Sequence, residues 1–373
     1  MKLKYADQIC NIKNPLDWTA DQVDLMVKAC REIAEFHYEH SREIRHLYQK
    51  ASFLPDSIQS EEDLERIPTL GVAAMKSYLI LSRPESEAVL KLTSSGTRGQ
   101  KTQIWLDQAS LDRAQNMLDV LWEQEGLTSD RPTHYVNFIY DPEEAKDLGI
   151  SFSVKNEERF APVKSSYFTV KKDKTGQWEF RKEETIRHLE TIAKEGYPVR
   201  FFGIPSFMFE LLDWMKGRAP IKLPKGSMMM TGGGWKAAED KAVTREAFRR
   251  LIQEYFGMED ALLRDGYGMA EHAAPYMECR HHRFHIPAYN RVYARDPVTM
   301  RVLPKGEAGL LEFLTPLNTM MPNLAILSTD MGKLDEAPCT CGWNAPTFTL
   351  LGRGGISKHK GCALTANEIV KRD

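Results

Sequence analysis

The first part of the chain has the hydrophobic spacing of helices. Between Thr19 and Lys50, hydrophobic residues recur every three or four positions, which places them on one helix face. They are Val23, Met26, Val27, Cys30, Ile33, Ala34, Ile44, Leu47 and Tyr48. Thr19 and Gln22 form the capping-box pattern of a helix start. We therefore predict one long helix or two in sequence here, followed by a short helix over residues 61–66.

From Val89 onward, strand-like hydrophobic runs alternate with runs of helical spacing. The predicted strands are 89–92, 102–106, 134–140, 166–170, 199–202, 226–230 and 261–264, and the predicted helices are 108–124, 182–195, 206–216 and 236–255. The helix predicted over 182–195 is expected to end at Gly196, which can adopt the left-handed conformation of a helix C-cap, with Pro198 just beyond it. This alternation predicts a mainly parallel sheet covered by helices. After residue 284, turn signals such as Pro304-Lys305-Gly306 predict β-hairpins.

Composition narrows the class of protein. The chain has 373 residues, a net charge of −2 and 27% charged residues of both signs, so no nucleic-acid partner is indicated. Charged residues interrupt the longest hydrophobic runs, and neither a transmembrane segment nor a signal peptide is predicted. Six cysteines in a long chain without a signal peptide indicate thiols in a reducing compartment. We expect a cytoplasmic protein.

Hydroxyl and glycine residues are concentrated between the first two predicted strands. They are Thr93, Ser94, Ser95, Gly96, Thr97 and Gly99. Glycines let backbone N–H groups converge on one point and the hydroxyls add donors, so this loop predicts binding of an oxyanion such as phosphate. It is not a Walker-type P-loop, because Lys101 follows Gln100 and strand-like residues follow the lysine. A polar β-hairpin turn is the alternative interpretation.

Four later stretches also place glycines and polar residues after hydrophobic runs. Three glycines, Gly232–Gly234, follow Met228-Met229-Met230 and would let a flat ligand such as a nucleotide base approach the backbone. The other stretches are 265–272, 327–332 and 351–356, with Tyr267, Glu271, Asp330 and Arg353 as their candidate ligand-binding residues. Each of these three, taken singly, is equally well explained as a solvated turn between core strands.

In this order and spacing, the five stretches resemble the adenylate-forming superfamily of acyl-CoA synthetases and luciferases. The resemblance runs from about Ile67 to the C-terminus and implies an α/β fold: an adenylate-forming N-terminal domain with helix-flanked sheets and a smaller β-rich subdomain. It implies ATP and Mg²⁺ as cofactors. It also implies phosphate binding by Thr93, Ser94, Ser95, Gly96, Thr97 and Gly99, adenine contact by Gly232, Gly233 and Gly234, nucleotide contact by Tyr267, Mg²⁺ binding by Glu271, and ribose binding by Asp330 and Arg353. Lys101 does not match the loop lysine of many members, and the loop is closer to the phenylacetate-CoA ligase branch.

Cysteine and histidine residues in the last third of the chain form a candidate zinc site. The four are Cys279, His285, Cys339 and Cys341. Structural zinc prefers four such ligands, and a Cys-x-Cys pair on a tight turn suits it. The phenylacetate-CoA ligase branch has a similar Cys, His and Cys-x-Cys arrangement. His281 and His282 are rivals of His285, and four unrelated loop residues are the alternative.

Cys362 differs from the other cysteines in its charged surroundings. Lys358, His359 and Lys360 precede it, and cationic neighbours raise the thiolate fraction of a thiol. A small core residue is the alternative, because Ala363 and Leu364 are apolar. In the superfamily, the stretch matching 352–369 is the hinge into a C-terminal domain, and we expect that domain to be absent or vestigial here.

The length, the early end and this cysteine resemble the LuxE-type acyl-protein synthetases of bacterial bioluminescence. In that family a fatty acid is adenylated, transferred to a cysteine of the enzyme near its C-terminus, and passed to an acyl reductase partner. The resemblance implies an AMP-forming acid–thiol ligase with Cys362 as the acyl acceptor and Cys362 and Glu271 as catalytic residues. An aryl- or acyl-CoA ligase of the phenylacetate type, and a non-catalytic nucleotide-binding interaction protein, are the alternatives.

We expect a helical segment over 1–88, an α/β nucleotide- and acyl-binding core over 89–283, a β-rich subdomain over 284–350 and a hinge with the acyl-acceptor tail over 351–373. The candidates for an apolar acyl pocket are Phe201, Phe202, Phe207, Met208, Met228 and Met269, and each fits a place in the core equally well. The sequence does not specify the acyl chain.

Overall fold

The computed structural model describes residues 3–93, 102–144, 156–234 and 243–354. The α-helices in these ranges are α1 (Lys4–Cys10), α2 (Ala20–His40), α3 (Arg42–Lys50), α4 (Val72–Ser77), α5 (Gln108–Gln124), α6 (Lys182–Ile192), α7 (Pro205–Trp214) and α8 (Arg245–Phe256).

The described residues also form β-strands. They are β1 (Leu70–Gly71), β2 (Leu90–Thr93), β3 (Gln103–Leu106), β4 (Thr133–Tyr140), β5 (Val163–Lys172), β6 (Trp178–Phe180), β7 (Val199–Gly203), β8 (Met228–Gly232), β9 (Leu263–Tyr267), β10 (Tyr276–Met277), β11 (Phe284–His285), β12 (Arg291–Arg295), β13 (Gly309–Leu314), β14 (Ala325–Leu334) and β15 (Thr347–Arg353).

The chain divides into two compact units. Unit 1 comprises Met1–Gln124, Gly268–Tyr276 and Arg283–Asp373, and unit 2 comprises Glu125–Tyr267 and Met277–His282. The division into four segments expected from the sequence stays a prediction.

Unit 2 contains six sheet strands in the order β9-β8-β7-β4-β5-β6. Strands β5, β4, β7, β8 and β9 run parallel, and β6 pairs antiparallel with β5. Its core joins strand residues such as Phe138 and Phe201 to helix residues such as Leu189, Leu211 and Ile252. The predicted parallel sheet covered by helices is therefore confirmed. Runs of buried β-branched and aromatic residues favour that arrangement, because both faces of a parallel sheet are covered.

Unit 1 combines the N-terminal helices with two antiparallel arrangements of strands. Its larger sheet has the order β11-β15-β14-β13-β12, and β1 pairs parallel with β14. Strands β2 and β3 form a separate two-stranded sheet. The hairpins predicted beyond residue 284 are confirmed, and Gly306 takes the positive φ of +88° that the turn before β13 requires.

Local capping explains where the first helices begin and end. Thr19 Oγ1 accepts the N–H of Gln22 at 3.2 Å, and Gln22 Oε1 accepts the N–H of Thr19 at 3.1 Å. The predicted capping box is therefore present. The long helical run is divided at Ser41, which has extended backbone angles and whose Oγ accepts the N–H of Ile44. Of the two predicted alternatives, one long helix or two in sequence, the structure has the second.

Some elements differ from the prediction. The short helix over 61–66 is a 3-10 helix, Glu62–Arg66. The helix predicted over 236–255 begins at Arg245 with Thr244 as its N-cap, and the first part of that prediction, 236–242, lies outside the described residues. Helix α1, helix α4 and strand β1 were not predicted, because they are too short to show a hydrophobic period.

Candidate active site

The β2–β3 hairpin carries the predicted oxyanion loop between its strands. Thr93 pairs with Gln103, so the segment 94–101 joins two adjacent strand ends. Ile104, Trp105 and Leu106 are buried and fix the outgoing strand in the core of unit 1. The loop residues themselves lie outside the described part of the chain, and their phosphate-binding role stays a prediction. They are Ser94, Ser95, Gly96, Thr97 and Gly99.

Glu271 lies in a tight turn of unit 1 and is buried. The N–H groups of His272 and Ala273 both donate to the Met269 carbonyl, at 3.1 and 3.0 Å. Oε1 of Glu271 accepts a 2.6 Å hydrogen bond from the hydroxyl of Thr102, and its backbone carbonyl accepts one of 2.8 Å from an amide N–H of the Asn323 side chain. A carboxylate held in this way is a suitable ligand for a hard cation such as Mg²⁺.

The three glycines predicted to approach a nucleotide base end strand β8 of unit 2. Gly232 pairs with Gly266 of β9, and Gly233 and Gly234 have φ values of +76° and +64°. Residues with a Cβ rarely adopt this left-handed region. The chain therefore leaves the sheet as bare backbone, as contact with a flat ligand requires. Tyr267, the last residue of β9, is half-buried.

Beside these glycines lies a polar cluster that the sequence interpretation missed. A cavity of about 90 Å³ is lined by Gly234, Thr231, Asp265, Arg245 and Glu278, among others. Thr231 Oγ1 donates to Asp265 Oδ1 at 2.8 Å, and Arg245 lies 3.4 Å from the Asp265 carboxylate and 3.3 Å from that of Glu278. Burial raises the pKa of Asp265 to about 6, against the lowering effect of Arg245. No local sequence pattern links these residues, although Asp265 directly precedes Gly266-Tyr267.

Asp330 and Arg353, the two residues predicted to bind ribose, are brought together in unit 1. They are partners across the antiparallel strands β14 and β15, with Arg353 Nε 3.8 Å from Asp330 Oδ1. The Ser328 hydroxyl accepts the N–H of Asp330 at 3.1 Å. The Arg353 side chain is 74% exposed and that of Asp330 21%. Asp330 offers a hydrogen-bond acceptor and Arg353 offers donors. Two neighbouring ribose hydroxyls, which can each donate and accept, could bind such a pair.

Three of the four predicted zinc ligands also lie together in unit 1. The ligand atoms of His285, Cys339 and Cys341 are within 4.8 Å of one another. Nδ1 of His285 lies 2.9 Å from the Ala345 carbonyl, which can only accept, so Nδ1 carries the hydrogen. Nε2 then directs its lone pair toward Cys341 Sγ at 3.2 Å. Burial lowers the pKa of His285 to about 4, so the ring is neutral, as a metal ligand must be.

The remaining zinc candidates belong to unit 2. Cys279 is fully buried, and its Sγ accepts the N–H of His281 at 3.4 Å. His282 Nε2 lies 2.7 Å from Asp260 Oδ2. Burial alone would lower the pKa of His282, but the Glu278 and Asp260 carboxylates raise it. Because its ring is engaged with carboxylates, His282 is a poorer zinc candidate than His285.

Two of the cysteines have structural positions in the core. Cys10 and Cys30 are buried in the core of unit 1, and burial raises the pKa of each thiol to about 12. Cys362 lies outside the described residues, so its role as acyl acceptor stays a prediction.

Sequence comparison decides the family to which these motifs belong. The profile of the family described as "Acyl-protein synthetase, LuxE" matches residues 4–371. The chain belongs to the LuxE family of acyl-protein synthetases. Curated LuxE-like relatives include the long-chain-fatty-acid–luciferin-component ligase of Aliivibrio fischeri, 25% identical over 372 residues, 98% of this chain and 94% of that protein. The ligase of the same name from Vibrio harveyi is 24% identical over 369 residues, 97% of this chain and 93% of that protein.

Solved structures agree with a LuxE-family fold of the adenylate-forming type. An open conformation of 2-hydroxyisobutyryl-CoA ligase, in complex with 2-HIB-AMP and CoA, has a TM-score of 0.68 at 16% identity, covering 91% of this chain and 77% of that chain. The same ligase in its postadenylation state also has a TM-score of 0.68 at 16% identity, covering 90% and 68%. These likenesses confirm the predicted α/β fold class. In the described part of the chain, no helix combines the length and the hydrophobicity that crossing a bilayer needs.

Proposed function

We propose that this chain activates a long-chain fatty acid with ATP and Mg²⁺ to acyl-AMP and then transfers the acyl group to its own Cys362. The match to the LuxE family over residues 4–371 carries this proposal. The acyl-protein thioester would be delivered to a reductase partner, since reduction of an activated acyl group releases it as an aldehyde.

The adenylation half would use Glu271 and the predicted phosphate loop, both of which belong to unit 1. Mg²⁺ bound to ATP supplies positive charge that offsets the charge of the phosphate groups. Glu271 would bind that ion, and the loop from Thr93 through Gly99 would direct its N–H and hydroxyl donors at the phosphates. The fatty-acid carboxylate attacks the α-phosphorus, an acyl–phosphate bond forms, and pyrophosphate leaves. Holding the two reactants in line supplies much of the acceleration.

Nucleoside binding would fall to the strand ends and to the Asp330–Arg353 pair. The bare backbone of Gly232–Gly234 accommodates the adenine ring, and Tyr267 lies against the nucleotide. Asp330 accepts from a ribose hydroxyl while Arg353 donates to one. Their pairing across β14 and β15 and their accessibility to solvent support this assignment.

The transfer half would use the Cys362 thiolate as the nucleophile. The thiolate attacks the acyl carbon of acyl-AMP, a thioester bond forms, and AMP leaves as the anion, which keeps the charge balanced. The lysines at positions 358 and 360 favour the thiolate form. Splitting one difficult transfer into two steps is the advantage of a covalent intermediate.

We also propose a structural zinc ion bound by His285, Cys339, Cys341 and Cys279. The close ligand atoms of the first three, and the unprotonated Nε2 of His285 that faces Cys341 Sγ, support it. Cys279, six positions before His285, supplies the fourth ligand. Elemental analysis of the purified chain is expected to find one zinc ion per molecule, and Cys341→Ser is expected to lose it. Wild-type protein without stoichiometric zinc would contradict the proposal.

Pyrophosphate release tests the adenylation half directly. We expect release that depends on ATP, Mg²⁺ and a long-chain fatty acid, and that does not need CoA. Release that needs CoA and forms CoA-thioester would instead identify a CoA ligase. No release with any carboxylic acid in a broad panel would identify a nucleotide-binding protein without catalysis.

A further inference from the structure

Thr102 stands at a junction between two predicted parts of the active site. It is the first described residue after the predicted phosphate loop, directly before strand β3. Its side chain is fully buried, and its Oγ1 lies 2.6 Å from Oε1 of Glu271. The two residues are 169 positions apart in the chain, so no local sequence pattern relates them.

The direction of this hydrogen bond follows from the chemistry of its partners. An ionised carboxylate only accepts, so the Thr102 hydroxyl donates to Glu271. A separation of 2.6 Å falls within the range of about 2.5–2.7 Å typical of a charge-assisted O–H···O⁻ hydrogen bond. Threonine is β-branched and stiff about χ1, so a buried threonine holds its hydroxyl in a fixed place.

Glu271 is held at two points. Thr102 binds one oxygen of its side chain, and Asn323 donates to its backbone carbonyl at 2.8 Å. Among hydrogen bonds between described residues, the one from Thr102 is the only one that reaches the Glu271 carboxylate. Oε2 is then the oxygen left to bind a cation, while Oε1 is occupied.

We propose that Thr102 is a positioning residue that orients the Glu271 carboxylate for Mg²⁺. The inference rests on the proposed function, in which Glu271 binds the metal. A partner that fixes the orientation of a metal ligand typically contributes about 10–100-fold in metal affinity or activity.

The test compares variants that remove or keep the hydroxyl. Thr102→Val preserves the shape of the side chain and removes the hydroxyl donor, whereas Thr102→Ser keeps the donor. Thr102→Ala is a second variant without the hydroxyl, and it adds no bulk. Thr315→Val is the matched control in the same unit, since Thr315 is equally buried and its Oγ1 contacts the Tyr289 carbonyl at 3.5 Å. The readouts are the Mg²⁺ concentration that gives half-maximal pyrophosphate release, the maximal rate, and the melting temperature.

We expect Thr102→Val and Thr102→Ala to raise the half-saturating Mg²⁺ concentration by about 10–100-fold. Thr102→Ser should recover most of that loss, and Thr315→Val should leave Mg²⁺ dependence as in the wild type. In a Glu271→Gln background, Thr102→Val should cause little further loss, because the two residues act as a unit. Equal Mg²⁺ dependence in Thr102→Val and Thr315→Val, or an equal loss in both backgrounds, would overturn the proposal.

Binding of Mn²⁺ in the presence of ATP, followed by electron paramagnetic resonance, needs no turnover. A wild type that binds Mn²⁺·ATP but releases no pyrophosphate would refute the proposed function alone. Weaker Mn²⁺ binding in Thr102→Val would still support the positioning role. Unchanged Mn²⁺ binding in a folded Thr102→Val or Thr102→Ala variant would refute it.

Discussion

Asp330 and Arg353 face each other across strands β14 and β15, with Arg353 Nε 3.8 Å from Asp330 Oδ1. An ion pair with one strongly exposed partner contributes little to stability, about 0–1 kcal/mol. Its position therefore needs an explanation other than folding, and ribose binding provides one.

We expect Asp330→Asn to raise the KM for ATP by about 10-fold or more, equivalent to about 1.4 kcal/mol of binding free energy. The melting temperature should change little, because the pair is accessible to water. Glu336→Gln, which alters an exposed carboxylate elsewhere in unit 1, is the control. Steady-state pyrophosphate release measures both. A KM for ATP that is the same in Asp330→Asn and Glu336→Gln would exclude ribose binding by Asp330.

Gly234 permits a prediction with a closely matched control. It has φ +64° and open space where a Cβ would stand, and Gly126 in the same unit has φ +67° and equally open space. Alanine at either position should cost about 1–2 kcal/mol of stability, since the left-handed backbone is strained for any residue with a Cβ.

Only Gly234→Ala should also weaken the binding of ATP, because only Gly234 lies at the predicted adenine site. Urea unfolding and ATP titration of both variants separate the two effects. If Gly126→Ala weakens ATP binding as much as Gly234→Ala, the loss reflects stability rather than contact with the base.

His37 makes the stability of unit 1 sensitive to acid. Its Nε2–H donates to the Asn318 carbonyl at 3.1 Å, so its Nδ1 accepts from the Ser82 hydroxyl at 2.8 Å. Burial lowers the pKa of His37 from 6.5 to about 3, which means that the folded state holds the neutral ring. The stabilising contribution is therefore complete above pH 6.5 and is lost as the pH falls below it.

Between pH 7.5 and pH 5, the wild type should lose about 2 kcal/mol of unfolding free energy through His37, at about 1.36 kcal/mol per pH unit below 6.5. His37→Asn should be less stable at pH 7.5 but lack this part of the pH dependence. Urea unfolding at both pH values measures the difference. Parallel losses in the wild type and His37→Asn would show that His37 does not titrate on unfolding.

The sequence predicted what local patterns determine. The Thr19 capping box needs only residues three apart, and strands β7 and β8 of unit 2 are short, almost wholly buried runs, so both could be predicted from local sequence. The order of motifs identified Asp330 and Arg353 as candidate ribose ligands, but their pairing across β14 and β15 came only from the structure.

Contacts between distant segments could not be read in this way. The Thr102–Glu271 hydrogen bond joins residues 169 positions apart, and Arg245 meets Asp265 and Glu278 from a separate helix. Strand β1 has two residues, and its pairing with β14 depends on the fold of the whole unit. Such contacts depend on tertiary packing, which leaves no period in the sequence.

The central claim is that the activated acyl group is transferred to Cys362. Intact-mass spectrometry of the denatured protein, after incubation with ATP, Mg²⁺ and a long-chain fatty acid, tests it most directly. We predict a mass increase equal to the fatty acid minus water, removed by neutral hydroxylamine, as a thioester requires. Cys362→Ser should lack the increase, whereas Cys30→Ala should retain it, because burial raises the pKa of Cys30 to about 12 and keeps that thiol unreactive. An undiminished mass increase in Cys362→Ser would contradict the account.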